Sequence, residues 1–116
     1  MKVKAAVCYE FNKPLVVDEL ELVRGPQENE ILVRWEASGV CHSDWAAVHD
    51  YFGIPVPFLP GHEGGGIVEE VGPGVTREKV GDHVVSSMLG SCGKCRFCIS
   101  GQPIMCQRDR PLPDAN

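Results

Sequence analysis

The sequence lacks any long apolar run, and no stretch approaches the ~20 consecutive apolar residues of a membrane-spanning helix. It also lacks the extended hydrophobic segment of a secretory signal, since residues 1–7 have only a basic edge. Positive charge is scarce too. The net charge is −5, whereas proteins that bind nucleic acids in general present a basic face. We therefore expect a cytoplasmic protein with neither membrane nor nucleic acid as partner.

Internal repeats and low-complexity segments are absent as well, which argues against a solenoid or a disordered chain. The 116 residues are enough for one domain but not comfortably for two. With 43% hydrophobic and 23% charged residues, the composition is that of an ordinary globular protein.

Short apolar runs between turns predict a mainly β, antiparallel domain. Ile31 to Ala37 alternates apolar and charged residues with period two, as a half-buried strand requires. Ser43 and Asp44 are helix-capping types and predict a short helix over 45–49. Further strands are predicted at 2–9, 19–22, 67–71 and 84–87; a proline-rich loop is predicted at 54–60, a loop-like stretch at 90–106 and an unfinished connection at 108–116.

Six cysteines in a cytosolic chain favour metal binding or catalysis over disulfides. Four of them are separated by two, two and seven residues, and two-residue spacers let successive sulfurs reach one ion from a tight turn. Gly93 lies where that turn needs conformational freedom, and Lys94 and Arg96 would offset thiolate charge. A tetrathiolate zinc site is closed and therefore structural. The four predicted ligands are Cys92, Cys95, Cys98 and Cys106.

Two other interpretations of the four cysteines stay open at this point. Disulfides are one, although the spacing and the expected compartment disfavour them. An iron–sulfur cluster is the other, but the bacterial ferredoxin pattern places its fourth cysteine three residues on and before proline. Here Cys106 follows Cys98 by eight positions and precedes Gln107.

A second pair of metal-binding types lies upstream. Cys41 and His62 supply two ligands of the Cys₂His type of catalytic zinc site, which needs one further thiolate and an open position. Cys8 lies in a predicted strand, where a buried thiol acts as a small hydrophobic group. The third ligand is therefore not obvious, and such a pair is also compatible with core packing or with a glycine-rich turn.

Four segments in order resemble the zinc-containing medium-chain alcohol dehydrogenases, most of all bacterial ones. They are residues 39–44 (GVCHSD), 61–68 (GHEGGGIV), 81–84 (GDHV) and the four-cysteine segment. The resemblance covers Lys2 to Cys106. It implies a GroES-like, partly open antiparallel β-barrel with an irregular zinc lobe at 90–106. It also implies that residues 1–116 form the catalytic domain, truncated, with the Rossmann domain absent.

The same resemblance implies roles for single residues. Cys41 and His62 would bind a catalytic zinc, Glu63 would lie close to that metal and help exchange its ligands, and Asp44 would accept a hydrogen bond from the His62 imidazole. Ser43 would take the proton of the alcohol. Cys92, Cys95, Cys98 and Cys106 would hold the structural zinc.

Other implied roles concern the cofactor and the proton path. His42 would contact the pyrophosphate of NAD or NADP. Many relatives complete a proton relay with a histidine where this chain has Ala46. His49 is a possible substitute, although a solvent-exposed surface position is the favoured interpretation.

The implied activity is oxidation of a small alcohol to an aldehyde or ketone with NAD or NADP, in a homodimer or homotetramer. A G-x-G-x-x-G fingerprint begins at Gly72-Pro73-Gly74 but fails at Arg77, so these glycines predict a turn. The alternative is a stand-alone zinc-binding domain without catalysis, and a zinc ribbon that binds nucleic acid is disfavoured by the charge. Trp45, Phe52 and Met88 are assigned either to a substrate pocket or to the core.

Overall fold

A computed structural model describes residues 1–107, so the predicted connection at 108–116 lies outside the described part. The chain divides into two compact units, Met1–Ser86 and a second that begins at Ser87. The strands are β1 (Lys2–Val7), β2 (Val16–Glu21), β3 (Ile31–Ser38), β4 (Gly64–Val71) and β5 (His83–Val85); the helices are α1 (His42–Val48) and α2 (Arg96–Ile99), with a 3₁₀ turn at Pro103–Met105.

Two small antiparallel sheets build the first unit. β1 pairs with β2, and β4 lies between β3 and β5. Within the described residues the two sheets stay separate and do not close into a full barrel. The predicted mainly β, antiparallel architecture is therefore confirmed.

Strand β3 departs from the strict alternation that its sequence predicts. Its pairing with β4 is interrupted twice, between Leu32 and Val33 and between Trp35 and Ala37. Each irregularity changes which face the following side chains occupy. Trp35 is 55% exposed, and its ring lies directly against Gly64, where an added Cβ would stand 2.8 Å from it.

Helix α1 begins three residues earlier than the sequence predicts. Cys41 occupies the N-cap with extended backbone (φ −94°, ψ 154°), as a capping residue requires. Asp44, in the first turn, accepts the Cys41 backbone N–H at 3.0 Å and so satisfies a donor that the helix leaves free. Ala46 and Ala47 form the buried face of the helix.

The core of the first unit is small and lies near the start of this helix and of β4. Val68 and Cys8 are each only 1% exposed. Cys8 also forms an antiparallel bridge to Phe58, which anchors the proline-rich loop at 54–60 as an extended segment. The buried thiol donates weakly to the Glu10 carbonyl at 3.6 Å. The prediction that Cys8 packs as a small hydrophobic group is confirmed.

The second unit is irregular, as predicted, apart from α2 and the 3₁₀ turn. Gly93 adopts a φ of +70°, the conformation that the predicted turn needs. Over the described part of the chain, every helix is too short or too polar to cross a bilayer.

Close approach of β3 and β4 gives a testable stability prediction. At Gly66 an added Cβ would lie 2.3 Å from the Arg34 carbonyl oxygen, which belongs to the backbone and cannot move aside. We expect Gly66→Ala to lower the free energy of unfolding by about 1–3 kcal/mol, the usual cost of overpacking.

The matched control is Gly65→Ala, since its nearest contact would be 3.9 Å away. Both variants make the same propensity change in the same strand. Urea unfolding of the two variants measures the difference, and equal midpoints would contradict the close approach.

Candidate metal centres

The four cysteines of the second unit converge on one point. Their sulfurs all lie within 4.8 Å of one another. Cys95 Sγ is 3.5 Å from Cys98 Sγ and 4.0 Å from Cys106 Sγ, and Cys92 Sγ is 4.0 Å from Cys98 Sγ. Zinc–sulfur bonds of about 2.3 Å in a tetrahedron place the sulfurs about 3.8 Å apart. The spacing therefore fits a single four-coordinate ion, whereas a multi-iron cluster would need wider separation.

Backbone amides already favour thiolate character in this cluster. Cys92 N–H donates to Cys106 Sγ, and Cys95 N–H donates to Cys92 Sγ, each at 3.3 Å. The pKa of the Cys95 thiol is lowered to about 6, mainly by a hydrogen bond from the backbone N–H of Cys98. Burial, followed by the hydrogen bond with Cys95, raises the pKa of the Cys98 thiol to about 11. Neighbouring sulfurs thus cannot all ionise unless a cation joins them.

The second unit has almost no hydrophobic core. Of residues 87–107, only Cys106 is buried. A segment that buries so little apolar surface needs a metal or another cross-link to hold a fixed shape. Arg96, which is exposed, stacks its guanidinium 4.5 Å from the Phe97 ring centre.

A second donor set lies in the first unit, where α1 and β4 begin. Cys41 Sγ, one His62 ring nitrogen and a Glu63 carboxylate oxygen all lie within 4.8 Å of one another. One thiolate, one imidazole and one carboxylate are three zinc donors with room for a fourth ligand. Glu63, which the resemblance implies to lie close to the metal, is thus near enough to be a candidate third donor.

Asp44 orients both of the predicted ligands beside it. Its Oδ1 lies 3.0 Å from His62 Nδ1, and its Oδ2 accepts the Cys41 backbone N–H at 3.0 Å. Both side chains are largely covered, with 15% of Asp44 and 23% of His62 exposed. Because Nδ1 faces the carboxylate, Nε2 is the nitrogen directed toward the other donors.

Ser43 lies at the same point. Its hydroxyl is 3.4 Å from His62 Nε2. Hydrogen bonds from Ser43, first from its hydroxyl and then from its backbone N–H, lower the pKa of the Cys41 thiol. The hydrogen bond with Cys41 is the main cause that raises the pKa of His62, and the Asp44 charge adds to it. Relative to the free side chains, these contacts favour the thiolate form of Cys41 and the protonated form of His62.

Glu63 reaches this site because Gly39 has no side chain. An added Cβ at Gly39 would lie 2.2 Å from Glu63 Oε2 and 3.2 Å from Glu63 Cβ. Gly39 N–H also donates to the Glu63 carbonyl at 2.9 Å. The sequence offered no signal for this contact beyond a glycine two residues before Cys41.

The remaining candidates surround α1 without entering the donor set. Trp45 stacks on His49 at 4.2 Å and lies 5.1 Å from the exposed His42 ring. His49 is partly exposed, and its Nδ1 lies 2.7 Å from the Trp45 carbonyl oxygen at the end of α1.

Three apolar residues had been assigned either to a substrate pocket or to the core. Trp45, Phe52 and Met88 are 47%, 59% and 66% exposed, so the core interpretation is wrong in this chain. His83 begins β5, the strand at the edge of its sheet.

Comparison with known proteins agrees with this geometry. Residues 27–113 match the model of the alcohol dehydrogenase GroES-like domain. An NDMA-dependent alcohol dehydrogenase of Amycolatopsis methanolica is 45% identical over 98% of this chain and 30% of its own length. An alcohol dehydrogenase of Geobacillus stearothermophilus is 47% identical over 92% of this chain and 32% of its own. The crystal structure of benzyl alcohol dehydrogenase from Acinetobacter calcoaceticus superposes with a TM-score of 0.83 at 42% identity, covering 91% of this chain and 29% of that one.

Fold and donor sets together define a mainly β, cysteine-rich domain with two candidate metal sites. The chain belongs to the alcohol dehydrogenase GroES-like domain family. The predicted family resemblance and GroES-like fold are confirmed. The chain spans about 30% of the length of the curated relatives it matches.

The Gly39 contact predicts a selective effect on the second donor set. In Gly39→Ala the new methyl group displaces the mobile Glu63 carboxylate, so the chain retains its fold while the third donor moves away. We expect weaker metal binding at the Cys41–His62 site and little change in melting temperature.

Cobalt titration followed by visible absorption measures this binding, with Gly65→Ala as control because its Cβ enters open space. Unchanged cobalt affinity in Gly39→Ala would show that Glu63 is not a ligand.

Proposed function

We propose that this chain is the zinc-binding N-terminal part of an alcohol dehydrogenase that oxidises alcohols to aldehydes or ketones with NAD or NADP. The observation that carries the proposal is the Cys41–His62–Glu63 donor set, whose three ligand atoms lie within 4.8 Å of one another. The names of the relatives, alcohol dehydrogenases among them, support the same activity.

Zinc has two roles in this proposal. In the second unit, Cys92, Cys95, Cys98 and Cys106 would hold a structural ion with four thiolates and no open position. In the first unit, Cys41, His62 and Glu63 would hold the catalytic ion. When bound there, zinc polarises the alcohol oxygen and makes its hydroxyl more acidic.

The chain's own residues position the substrate and handle the proton. Asp44 keeps His62 Nδ1 occupied, so that Nε2 stays available as a donor. Ser43 Oγ, 3.4 Å from that nitrogen, would accept the hydroxyl proton of the alcohol. Since the Ala46 side chain has no proton acceptor, the Ser43 proton would pass onward to water.

The cofactor site belongs to the rest of the enzyme in this proposal. The glycines that begin the failed nucleotide fingerprint, Gly72 and Gly74, lie in a turn after β4 and not at the start of a helix. We derive no hydride step through these residues. NAD or NADP would accept the hydride from the alcohol carbon, and the exposed His42 would contact its pyrophosphate, as the resemblance implies.

Location and assembly follow from the same reasoning. All six cysteines are free thiols, as a reducing compartment such as the cytoplasm would keep them. The proposed partners are a small alcohol or aldehyde and further copies of the complete enzyme in a homodimer or homotetramer.

Metal removal tests the structural role. A zinc-loaded chain is expected to contain about two zinc ions, and a chelator is expected to strip both and expose the four thiols of the second unit, because little else holds that unit together. Cys98→Ser should lower the zinc content to about one, and Cys8→Ser, which lies outside both sets, should leave it at two. Zinc content with a free-thiol assay gives the answer; no zinc in the wild-type chain would refute both sites.

Activity tests the proposed reaction in the complete polypeptide that carries this domain. Cys41→Ser and His62→Ala are expected to abolish alcohol-dependent NAD or NADP reduction. Ser43→Ala is expected to lower kcat by about 10²–10⁴-fold, the usual contribution of a positioned acid–base group. Normal activity in His62→Ala, or no activity in a zinc-replete wild-type enzyme with any alcohol, would favour a non-catalytic zinc-binding domain.

A further inference from the structure

Ser86 makes an unusual set of contacts with the backbone that carries His62 and Glu63. Its hydroxyl donates to the His62 carbonyl at 2.7 Å and accepts the Gly64 N–H at 2.8 Å. Its own backbone N–H donates to the Gly64 carbonyl at 2.8 Å. One residue directly after β5 thus binds both flanks of Glu63.

These contacts fix the peptide groups on either side of the two donors. The Glu63 carbonyl between them is held from the opposite side by Gly39 N–H, at 2.9 Å. Ser86 is half-buried, so its hydrogen bonds are only partly open to competition from water. The backbone of His62 to Gly64 is therefore held from both sides.

We propose that Ser86 is a positioning residue for the Cys41–His62–Glu63 site. It acts through the backbone and not as a ligand, because both functions of its hydroxyl are already used by His62 and Gly64. Without the hydroxyl, Gly64 N–H and the His62 carbonyl lose their partner and the segment relaxes. The proposal rests on the proposed catalytic metal site.

Two substitutions separate the effect of the Ser86 hydroxyl from the effect of side-chain volume. Ser86→Thr keeps the hydroxyl and adds a methyl group. Ser86→Val has the shape of threonine but no hydroxyl. Ser86→Ala is the variant to use if valine impairs folding. Ser87→Ala is the neighbouring control, since the Ser87 hydroxyl donates only to the Leu89 carbonyl, at 3.1 Å.

Cobalt binding to the full 116-residue chain tests the proposal without activity. One equivalent of zinc first fills the four-cysteine cluster and stays there, because zinc binds such sites more tightly than cobalt. Cobalt is then titrated and its thiolate absorption recorded. We expect Ser86→Val and Ser86→Ala to weaken cobalt binding by about 10–100-fold, the usual effect of losing a group that supports a metal ligand. Ser86→Thr and Ser87→Ala should bind like the wild type, and melting temperatures should stay close together.

A crystal structure of metal-free Ser86→Val gives an independent measurement. The expected result is a His62 ring that has left its 3.0 Å contact with Asp44. Equal cobalt affinities for Ser86→Val and Ser86→Thr, or an unmoved His62 in the crystal, would overturn the role of Ser86. If the wild-type chain binds no cobalt beyond the first ion, the catalytic site itself fails, and the position of His62 in the crystal still decides whether Ser86 orients it.

Discussion

Repulsion among four closely packed cysteine sulfurs is the constraint on which the second unit depends. Sulfurs 3.5–4.0 Å apart cannot all carry negative charge without a cation between them. Backbone N–H groups favour thiolates at Cys92 and Cys95, while Cys98 keeps its proton. A zinc ion would resolve this conflict and would replace the missing hydrophobic core with four bonds.

In the first unit, by contrast, the donor residues come from two separate segments of the chain. Cys41 is held by the start of α1, and His62 and Glu63 by the start of β4. Asp44 joins the two segments, because one carboxylate binds the backbone of Cys41 and the ring of His62. The same Asp44 carboxylate thus satisfies a backbone donor at the start of α1 and orients the His62 ring.

The sequence predicted the strands and the four-cysteine cluster, and the family resemblance implied the closeness of Asp44 to His62. These features depend on local patterns or on motifs that carry their own spacing. It did not predict that Glu63 would complete the donor set, that Gly39 would make room for it, or that Ser86 would bind its flanks. Those contacts join residues that are 22–24 positions apart in the sequence. Neither a glycine nor a serine predicts such a contact by its residue type alone. The interrupted pairing of β3 was missed because its alternation of apolar and charged residues looks regular in the sequence.

X-ray absorption at the zinc edge tests the central claim most directly. The chain is loaded with one equivalent of zinc, and the number and distance of the scattering neighbours are measured. The account predicts four sulfur ligands at about 2.3 Å. Mainly nitrogen or oxygen neighbours, or fewer than three sulfurs, would contradict the assignment of the four cysteines to a single tetrahedral zinc site.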